Sequence, residues 1–246
     1  MSKYVEYGEY IDNSINLIKH YEFEYNKHNE LYTSDKIDIL DELDELNHIK
    51  IPKYIAKDKY PHLIGYKSIL NNDICDKIIK LALTLPPKKG ILYNPHDLSG
   101  NINNDVRKST LRWIEQKDKR FKSLFNFLNK FTQNNLNKAF KFKYFINLPR
   151  IQFTEYTEPE DHYNWHIDYL ENTTTNSVRK ISVIIQLSDR NAYDGCDILI
   201  RGNKGRMCRD CGSIISFKSV VSHKVTPLKS GRRYSLVAWY EGPQFI

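Results

Sequence analysis

Two side chains of the types that bind metal ions stand two residues apart in the sequence, at His166 and Asp168. Successive side chains of a β-strand point to opposite faces, so residues i and i+2 share a face. A third candidate ligand, His223, follows 57 residues after His166 on another β-like segment. Two histidines and one carboxylate suit a non-haem Fe(II) oxygenase, and zinc with three protein ligands and a water fits the same residues.

A possible anion site lies in the last β-like segment, GRRYSLVAW, at residues 231–239. Strand periodicity places Arg233 and Ser235 on one face. A guanidinium group beside a hydroxyl suits a carboxylate, because arginine can form two parallel hydrogen bonds with it. A hydrolytic zinc enzyme has no need for such a group, and no Glu or Asp is placed by motif as its general base. The combination favours an iron enzyme.

Short β-like segments separated by Gly, Asn and Asp make up most of the chain after Phe142 and indicate a sandwich or barrel. In order they read FKYFINLPRIQFTEYT, HYNWHIDYL, RKISVIIQLS, DILIRG, GSIISFK, SHKVTPL and RRYSLVAWYE. Upstream, residues 72–85 and 119–138 show the apolar spacing of amphipathic helices, with the first capped near Asn72 or Asp73. Residues 62–70 read as a strand, and residues 88–106 as a long polar loop.

The motifs of residues 156–240 resemble the prolyl-hydroxylase branch of the Fe(II)/2-oxoglutarate-dependent dioxygenase superfamily, which includes the PKHD-type hydroxylases and the hypoxia-factor prolyl hydroxylases. The resemblance is carried by Y-x6-Y-x2-H-x-D, ending at Asp168, and by RKISVIIQLS, YDGCDILI, GSIISF, HKVTP and GRRYSLVAWY. It implies a mainly β fold with flanking α-helices. We expect a double-stranded β-helix, a cupin-like jelly roll of about eight strands.

The resemblance also implies a site and its cofactors. In the family, the H-x-D pair and the distal histidine hold iron, and a basic residue shortly after that histidine binds 2-oxoglutarate. Arg233 lies ten residues after His223. The implied metal ligands are His166, Asp168 and His223, and the implied 2-oxoglutarate residues are Arg233, Ser235 and Tyr156. Beyond the metal centre, no further catalytic group is expected. The implied cofactors are Fe(2+), 2-oxoglutarate and O2, with ascorbate as an additional candidate.

Two positions depart from the family pattern. Cys196 replaces the second glycine of the family turn, so we expect the backbone there to differ. Gln186 stands where some relatives have a tyrosine that contacts the co-substrate, which puts that contact in doubt.

Several residues near these motifs allow more than one interpretation. Arg107 and His162 are candidates for the substrate side of the site, although a surface charge and a loop histidine are the simpler interpretations. Alternation along the strand predicts that Tyr163, Trp165 and Ile167 face the core. Cys208 and Cys211 form a lone C-x2-C pair, which we do not assign to zinc, and no βαβ context supports a redox role.

The leading functional hypothesis is hydroxylation of a protein or peptide side chain, with proline as the first candidate and with release of succinate and CO2. Alternatives in the superfamily are a nucleic-acid oxidative dealkylase and a small-molecule hydroxylase. Residues 1–60 carry a net charge of −5, so residues 61–246 carry +12, which encourages the nucleic-acid alternative. Against it, Trp239 stands where dealkylases have a second arginine. A non-catalytic jelly-roll binding module is the alternative from another class.

Length and composition fit a globular chain of 246 residues, with 40% hydrophobic and 13% aromatic residues. We expect an N-terminal helical extension at residues 1–60, including an amphipathic helix at 35–49, and a dioxygenase domain at 61–246 with its jelly-roll core at about 142–246. The sequence shows neither an apolar run long enough for a membrane span nor a secretion signal. Four irregularly spaced cysteines indicate free thiols, and we expect a cytoplasmic protein without membrane partners.

Overall fold

The fold is described from a computed structural model. It describes Leu40 and Leu43 individually and residues 62–90, 92–93, 100–101, 103–141, 148, 150–172, 176–203 and 206–243. The rest of the predicted N-terminal extension and of its 35–49 helix lies outside the described residues. Leu40 and Leu43 are both fully buried and belong to the larger hydrophobic core.

The described residues form sixteen strands and three α-helices. The strands are β1 (Leu63–Tyr66), β2 (Lys88–Lys89), β3 (Leu92–Tyr93), β4 (Gly100–Asn101), β5 (Arg107–Lys108), β6 (Thr110–Glu115), β7 (Arg150–Tyr156), β8 (His162–His166), β9 (Glu171–Asn172), β10 (Ser177–Gln186), β11 (Tyr193–Gly195), β12 (Ile198–Ile200), β13 (Ile214–Lys218), β14 (His223–Val225), β15 (Leu228–Gly231) and β16 (Arg233–Pro243). The helices are α1 (Asn72–Ala82), α2 (Lys122–Phe131) and α3 (Asn137–Phe140).

Two antiparallel sheets dominate the architecture. The major sheet has the order β1-β13-β10-β16-β7-β6-β2, with β9 beside β10. The minor sheet has the order β12-β14-β8-β5, and the pairs β11-β15 and β3-β4 are separate. Side chains from the inner faces of both sheets form one hydrophobic cluster, which includes Ile184 and Phe217 from the major sheet and Ile198 and Val225 from the minor sheet. This arrangement confirms the expected jelly roll.

The helices cover the other face of the major sheet, so its central strand is buried on both sides. Val183 and Ile185 of β10 pack with the helices in the larger core, whereas Ile184 between them belongs to the core between the sheets. A strand with two covered faces needs apolar side chains at consecutive positions. This requirement accounts for the sequence SVIIQ in β10, which lacks the alternation of a half-exposed strand.

The first predicted helix is confirmed with small changes at its ends. Helix α1 is capped by Asn71, whose side-chain oxygen accepts a hydrogen bond from the Ile74 backbone N–H at 2.8 Å. The cap is therefore one residue before the positions predicted for it. The helix ends at Ala82, three residues short of the predicted end.

The second predicted helix, at residues 119–138, is not one continuous α-helix. A 3-10 turn at Lys119–Phe121 precedes α2, and a π-helical segment at Thr132–Leu136 separates α2 from α3. In the π segment the Asn135 side-chain amide donates to the Phe131 carbonyl at 3.0 Å. Asparagine and threonine side chains compete with the helical backbone in this way, so a break in the regular α-helical pattern falls in the TQNN stretch.

The segment predicted as a polar loop, residues 88–106, contains three short strands among its described residues. Strand β2 extends the major sheet through β6, and β3 pairs with β4. The sequence did not predict these strands, because a strand of two residues is too short to show alternation of apolar and polar side chains. Separately, no helix among the described residues is long and apolar enough to cross a membrane.

Gly212 should be indispensable to the loop between β12 and β13. Its φ is +72°, and a Cβ atom there would lie 1.8 Å from the Leu70 carbonyl oxygen, which is backbone and cannot yield easily. Gly202 has a similar φ of +84° but open space around it. Replacement of Gly212 by alanine should lower the free energy of unfolding by more than ~2 kcal/mol, against ~1 kcal/mol for Gly202→Ala. Urea unfolding measures both, and equal losses would contradict the steric argument.

Candidate metal and co-substrate site

The pairing of β8 with β14 brings the three predicted metal ligands together. His166 ends β8 and His223 begins β14, and the two residues are directly paired across the minor sheet. Asp168 follows β8, where its backbone N–H donates to the Ser219 carbonyl at 2.9 Å, just beyond β13. One ligand atom from each side chain lies within 4.8 Å of the other two. Among the described residues, no other group of this kind is present.

Backbone carbonyls orient both imidazole rings. His166 Nδ1 lies 2.7 Å from the Asn164 carbonyl oxygen, and His223 Nδ1 lies 3.0 Å from that of Val221. A ring nitrogen that donates to a carbonyl carries the proton, so the lone pair of the neutral ring is on Nε2. Both Nε2 atoms face Asp168, each 3.6 Å from a different carboxylate oxygen.

Electrostatics keep His166 and Asp168 in the forms that bind a cation. Burial, helped by the neighbouring His223, lowers the pKa of His166 to about 4, so its ring is neutral at pH 7. Burial alone would raise the pKa of Asp168, but His223 and His166, with Trp239 and Ser182, outweigh it and hold that pKa below its ordinary value. The result is a carboxylate facing the Nε2 lone pair of a neutral His166 ring.

The donor set fits a divalent metal ion. Asp168 Oδ2 is buried and has no hydrogen-bond partner among the described residues. A buried charged oxygen without a partner is costly, and a bound cation would satisfy it. Two neutral imidazoles and one carboxylate suit iron(II) and zinc as ligands. Calcium is bound by six to eight oxygen ligands, which this cluster does not provide.

Arg233, the predicted co-substrate anchor, is 1% exposed on the inner face of the major sheet. Its Nε and Nη2 atoms donate to the side-chain oxygen of Gln186 on the adjacent strand β10, at 3.1 and 2.8 Å. No described carboxylate forms an ion pair with it. The site therefore holds a buried positive charge whose protein partner is a neutral amide, which favours an anionic ligand.

Gln186 thus has a role that the sequence did not reveal. The absence of a tyrosine at this position put a co-substrate contact in doubt, but the glutamine orients the arginine. Its side-chain N–H also lies 3.4 Å from the Cys208 carbonyl oxygen. The contact between Gln186 and Arg233 follows from the register of β10 with β16. That register places Gln186 opposite Ser235, two residues from Arg233.

The other two predicted co-substrate residues lie on the same face as Arg233. Tyr156 is directly opposite Arg233 across β7 and β16, with its ring centroid 5.3 Å from the guanidinium carbon. Burial raises the pKa of Tyr156 to about 12, so its hydroxyl is neutral and can donate. Ser235 is 2% exposed and pairs with Thr154, another buried hydroxyl that the sequence did not single out. Together these groups line a polar, enclosed floor.

The two candidate substrate-side residues behave differently. Arg107 is 6% exposed, so the surface-charge interpretation is wrong. Its guanidinium carbon lies 4.4 Å from the Tyr163 ring centroid, and that ring stacks on His166 with centroids 3.5 Å apart. His162 is not drawn into the metal cluster: its two ring nitrogens lie 2.8 and 3.2 Å from the carbonyl oxygens of Glu160 and Asp105.

The prediction that Trp165 and Ile167 face the core is wrong, since they are 38% and 50% exposed. Both alternate with the ligand face as expected, but no described element covers the outer face of the minor sheet near them. Trp165 lies instead between two cations, with Arg201 and Lys224 at 5.2 and 5.1 Å from its ring. Tyr163 is partly buried, through its contacts with Arg107 and His166.

A series of two tryptophan rings flanked by two arginines passes beside Asp168 through Trp239. Arg150 is 4.2 Å from the Trp113 ring centroid, Trp113 and Trp239 are 6.3 Å apart, and Arg179 is 4.2 Å from Trp239. Trp239 faces Asp168 and helps to lower its pKa. No sequence pattern pointed to this series, because its four residues come from four different strands.

The departure at Cys196 leaves the turn with a glycine-like backbone. Cys196 has a φ of +49°, directly after Gly195 at +79°. The left-handed region is unusual for a residue with a Cβ atom. The turn therefore keeps its left-handed backbone although Cys196 replaces a glycine. The Cys196 thiol is buried within the turn.

The fold and the site together define a class of protein: a double-stranded β-helix with a two-histidine, one-carboxylate metal centre and a buried arginine. Residues 151–241 match the family model of the 2OG-Fe(II) oxygenase superfamily. PKHD-type hydroxylases from Shewanella oneidensis and Synechococcus sp. are 33% and 34% identical over 85 and 82 residues, or 33% and 32% of this chain. The aligned segments span 38% and 36% of those relatives, little more than a third of their length.

Solved structures of prolyl hydroxylases share the fold. The viral collagen prolyl hydroxylase of Paramecium Bursaria Chlorella virus-1, as its 2OG complex, has a TM-score of 0.55 at 18% identity and covers 74% of this chain and 97% of its own. The Pseudomonas putida prolyl-4-hydroxylase has a TM-score of 0.55 at 16% identity and covers 74% of this chain and 94% of its own. The Trichoplax adhaerens prolyl hydroxylase was solved in complex with a hypoxia inducible factor oxygen degradation domain peptide fragment. It has a TM-score of 0.57 at 16% identity and covers 73% of this chain and 83% of its own.

Residues 151–241 are therefore similar to the 2OG-Fe(II) oxygenase superfamily, and the relatives that align with them are its PKHD-type hydroxylases. The resemblance read from the sequence is confirmed. Iron(II), 2-oxoglutarate and dioxygen are the cofactors of this superfamily, and the His166, Asp168 and His223 cluster provides the matching donor set.

Loss of Asp168 should abolish metal binding, whereas loss of the nearby His162 should not. Asp168→Ala removes the charged ligand, so affinity for Fe(II), or for Mn(II) as an air-stable substitute, should fall by more than about 100-fold, beyond the effect of losing an outer-sphere contact. His162→Ala changes a histidine four residues from His166 that hydrogen-bonds backbone carbonyls. Calorimetric titration compares the two variants with wild type. Equal metal affinity for wild type and Asp168→Ala would refute the ligand assignment.

Proposed function

We propose that the protein is an Fe(II)- and 2-oxoglutarate-dependent dioxygenase that hydroxylates a protein or peptide side chain, most simply a prolyl residue, with release of succinate and CO2. The observation that carries the proposal is the buried Arg233, which has no described carboxylate partner, on the face of the sheet that also contacts Asp168. Ser182 and Trp239 are paired near the middle of β10 and β16, and Gln186 and Ser235 are paired at the end of β10 near Arg233. An anion held by Arg233 would extend along these strands toward the metal ligands.

Each residue has a defined task under this proposal. His166, Asp168 and His223 would hold the iron, which with 2-oxoglutarate and dioxygen supplies the oxidising chemistry. Arg233 would bind the distal carboxylate of 2-oxoglutarate through its remaining N–H groups, while Gln186 holds the guanidinium in place. Ser235 and Tyr156 offer neutral hydroxyl donors on the same face. The apolar core between the sheets excludes water around these groups, which strengthens their electrostatic contacts.

A proline-containing peptide suits the surroundings of Asp168. Trp239 is a partly exposed ring beside Asp168, and Trp113 is a second partly exposed ring 6.3 Å from it. Aromatic-lined grooves are a common binding surface for proline rings. Arg150 and Arg179 flank these rings, which favours acidic residues next to the target. Support for a peptide comes also from the Trichoplax relative, which was solved with a peptide fragment.

We propose further that residues 61–246 form the catalytic domain and that residues 1–60 add a helical extension to it. The support is the burial of Leu40 and Leu43 in the core that also contains Ile74 and Ile78 of α1 and Ile64 of β1. An extension whose leucines belong to that core acts as scaffold at those positions.

The decisive experiment measures succinate formed from 2-oxoglutarate by the purified protein with Fe(II) and oxygen, with and without ascorbate. Wild type should release succinate slowly alone and faster with a proline-containing peptide, which should gain one oxygen atom by mass spectrometry. Asp168→Ala should release none. If wild type gives no more succinate than Asp168→Ala under every condition, the chain is not an active dioxygenase and a non-catalytic jelly-roll module becomes the better description.

Arg233 should determine the affinity for 2-oxoglutarate. Arg233→Gln removes a buried charge that would pair with a carboxylate, so the KM for 2-oxoglutarate should rise about 30-fold or more. Arg233→Lys should recover part of the loss, because a lysine keeps the charge but not the two-pronged contact. Arg232→Gln is the matched control, since Arg232 is the adjacent residue and is exposed. Succinate assays over a range of 2-oxoglutarate concentrations distinguish these variants, and similar KM values for Arg233→Gln and Arg232→Gln would exclude the anchor role.

A further inference from the structure

A pair of thiols joins helix α1 to the loop that supports Gln186. None of the four cysteines forms a disulfide. Cys75 is fully buried on α1, and Cys211, which is partly exposed in the loop between β12 and β13, packs against the same hydrophobic core. The loop is held beside the start of α1 by the Gly212 carbonyl, which accepts from the Ile69 and Leu70 N–H groups, and the two thiols are side-chain partners there. Cys211 in turn donates from Sγ to the Leu187 carbonyl oxygen at 3.0 Å. The partner of Cys211 is therefore Cys75 from a distant element, and not Cys208 of the C-x2-C motif.

Cys208 is engaged elsewhere. Its sulfur lies 3.3 Å from the Ser213 hydroxyl, and that hydroxyl also accepts from the Ser68 N–H at 3.0 Å. The two cysteines of the C-x2-C motif therefore have different partners. Cys208 contacts the Ser213 hydroxyl, and Cys211 contacts the Cys75 thiol.

The two sulfurs differ in ways that suit thiol oxidation. The hydrogen bond from Cys75 lowers the pKa of Cys211 despite its partial burial, and the same contact raises that of Cys75. The partly exposed sulfur is also the one more easily converted to thiolate, which is the form that reacts with peroxide. The buried sulfur is in position to react next.

We propose that Cys75 and Cys211 form a redox-sensitive site that peroxide converts to an intramolecular disulfide. The Cys211 thiolate attacks one oxygen of hydrogen peroxide, the O–O bond breaks, and Cys211 becomes a sulfenic acid with release of hydroxide. The Cys75 sulfur then attacks the sulfenic sulfur, its proton leaves with the displaced hydroxyl as water, and the S–S bond forms. Overall two thiols and one peroxide give one disulfide and two waters.

The disulfide would reach the co-substrate anchor through Gln186. The Gly212 N–H donates to the Gln186 carbonyl at 2.7 Å, and the Gln186 N–H donates to the Ser213 carbonyl at 2.9 Å. Oxidation draws the sulfurs closer and removes the Cys211 proton that bonds Leu187, the neighbour of Gln186. Because the Gln186 side chain holds Arg233, oxidation should weaken 2-oxoglutarate binding. This second consequence, unlike the disulfide itself, rests on the proposed function.

The modification is tested on the full chain, treated with chelator so that peroxide does not react with bound metal. After hydrogen peroxide treatment and alkylation of free thiols, peptide mass spectrometry should find Cys75 crosslinked to Cys211 with loss of two hydrogens, reversible by dithiothreitol. The crosslink should be absent from Cys75→Ala and Cys211→Ser and present in Cys208→Ser, the matched control from the same loop. A Cys208–Cys211 crosslink, or none, in wild type would overturn the site.

The coupling is tested after catalase treatment and resupply of iron. The KM for 2-oxoglutarate should rise about five-fold in oxidised wild type, the scale of one lost hydrogen bond, and stay unchanged in peroxide-treated Cys75→Ala. A crosslink without a change in KM would overturn the coupling to Arg233 and leave the modification site established. Failure of the proposed function is distinguishable, because then neither reduced nor oxidised protein makes succinate while the crosslink still reports on the thiols.

Discussion

The buried guanidinium of Arg233 is the constraint on which much of the structure depends. A charge 1% exposed and bonded to a neutral amide costs free energy that other contacts must offset. Two hydrophobic clusters offset this cost, one between the major sheet and the helices and one between the two sheets. They also fix β10, β7 and β16 side by side, so that Gln186 and Tyr156 reach the arginine. Stability comes from the apolar faces, which leaves the polar face free to be arranged for a ligand.

The metal ligands depend on a different constraint, the register of the minor sheet. His166 and His223 are directly opposite each other, and each ring is turned by a carbonyl two residues earlier in its own chain segment. Tyr163 adds a stacked ring on His166, and the Arg107 guanidinium also lies over the Tyr163 ring. A shift of one residue in β8 would turn His166 away from the core, so the pairing and the stacking hold the same geometry from two directions.

The sequence predicted the parts of the site that depend on spacing along one strand. His166 with Asp168, and Arg233 with Ser235, are each two residues apart, and strand alternation is enough to place them. It missed the contacts that depend on strand order, such as Gln186 with Arg233 and the series from Arg150 to Arg179, because β10 and β16 meet across some fifty residues of chain. It misjudged Trp165 and Ile167 because alternation gives the face of a side chain but not whether another layer covers that face. The helix at 119–138 was divided by local side-chain competition, which apolar spacing does not register.

The positive charge of residues 61–246 is also easier to interpret in the folded chain. Several of its arginines lie over aromatic rings within the fold: Arg107 on Tyr163, Arg150 on Trp113, Arg179 on Trp239, Arg209 on Tyr193 and Arg233 on Tyr156. Others form ion pairs, such as Arg112 with Glu155 at 2.6 Å. Cations used in this way stabilise internal packing and are poorly placed to contact a phosphate backbone, which needs exposed basic side chains along one surface. Net charge is therefore a weak argument for a nucleic-acid substrate, and the peptide proposal rests instead on the partly exposed tryptophan rings near Asp168.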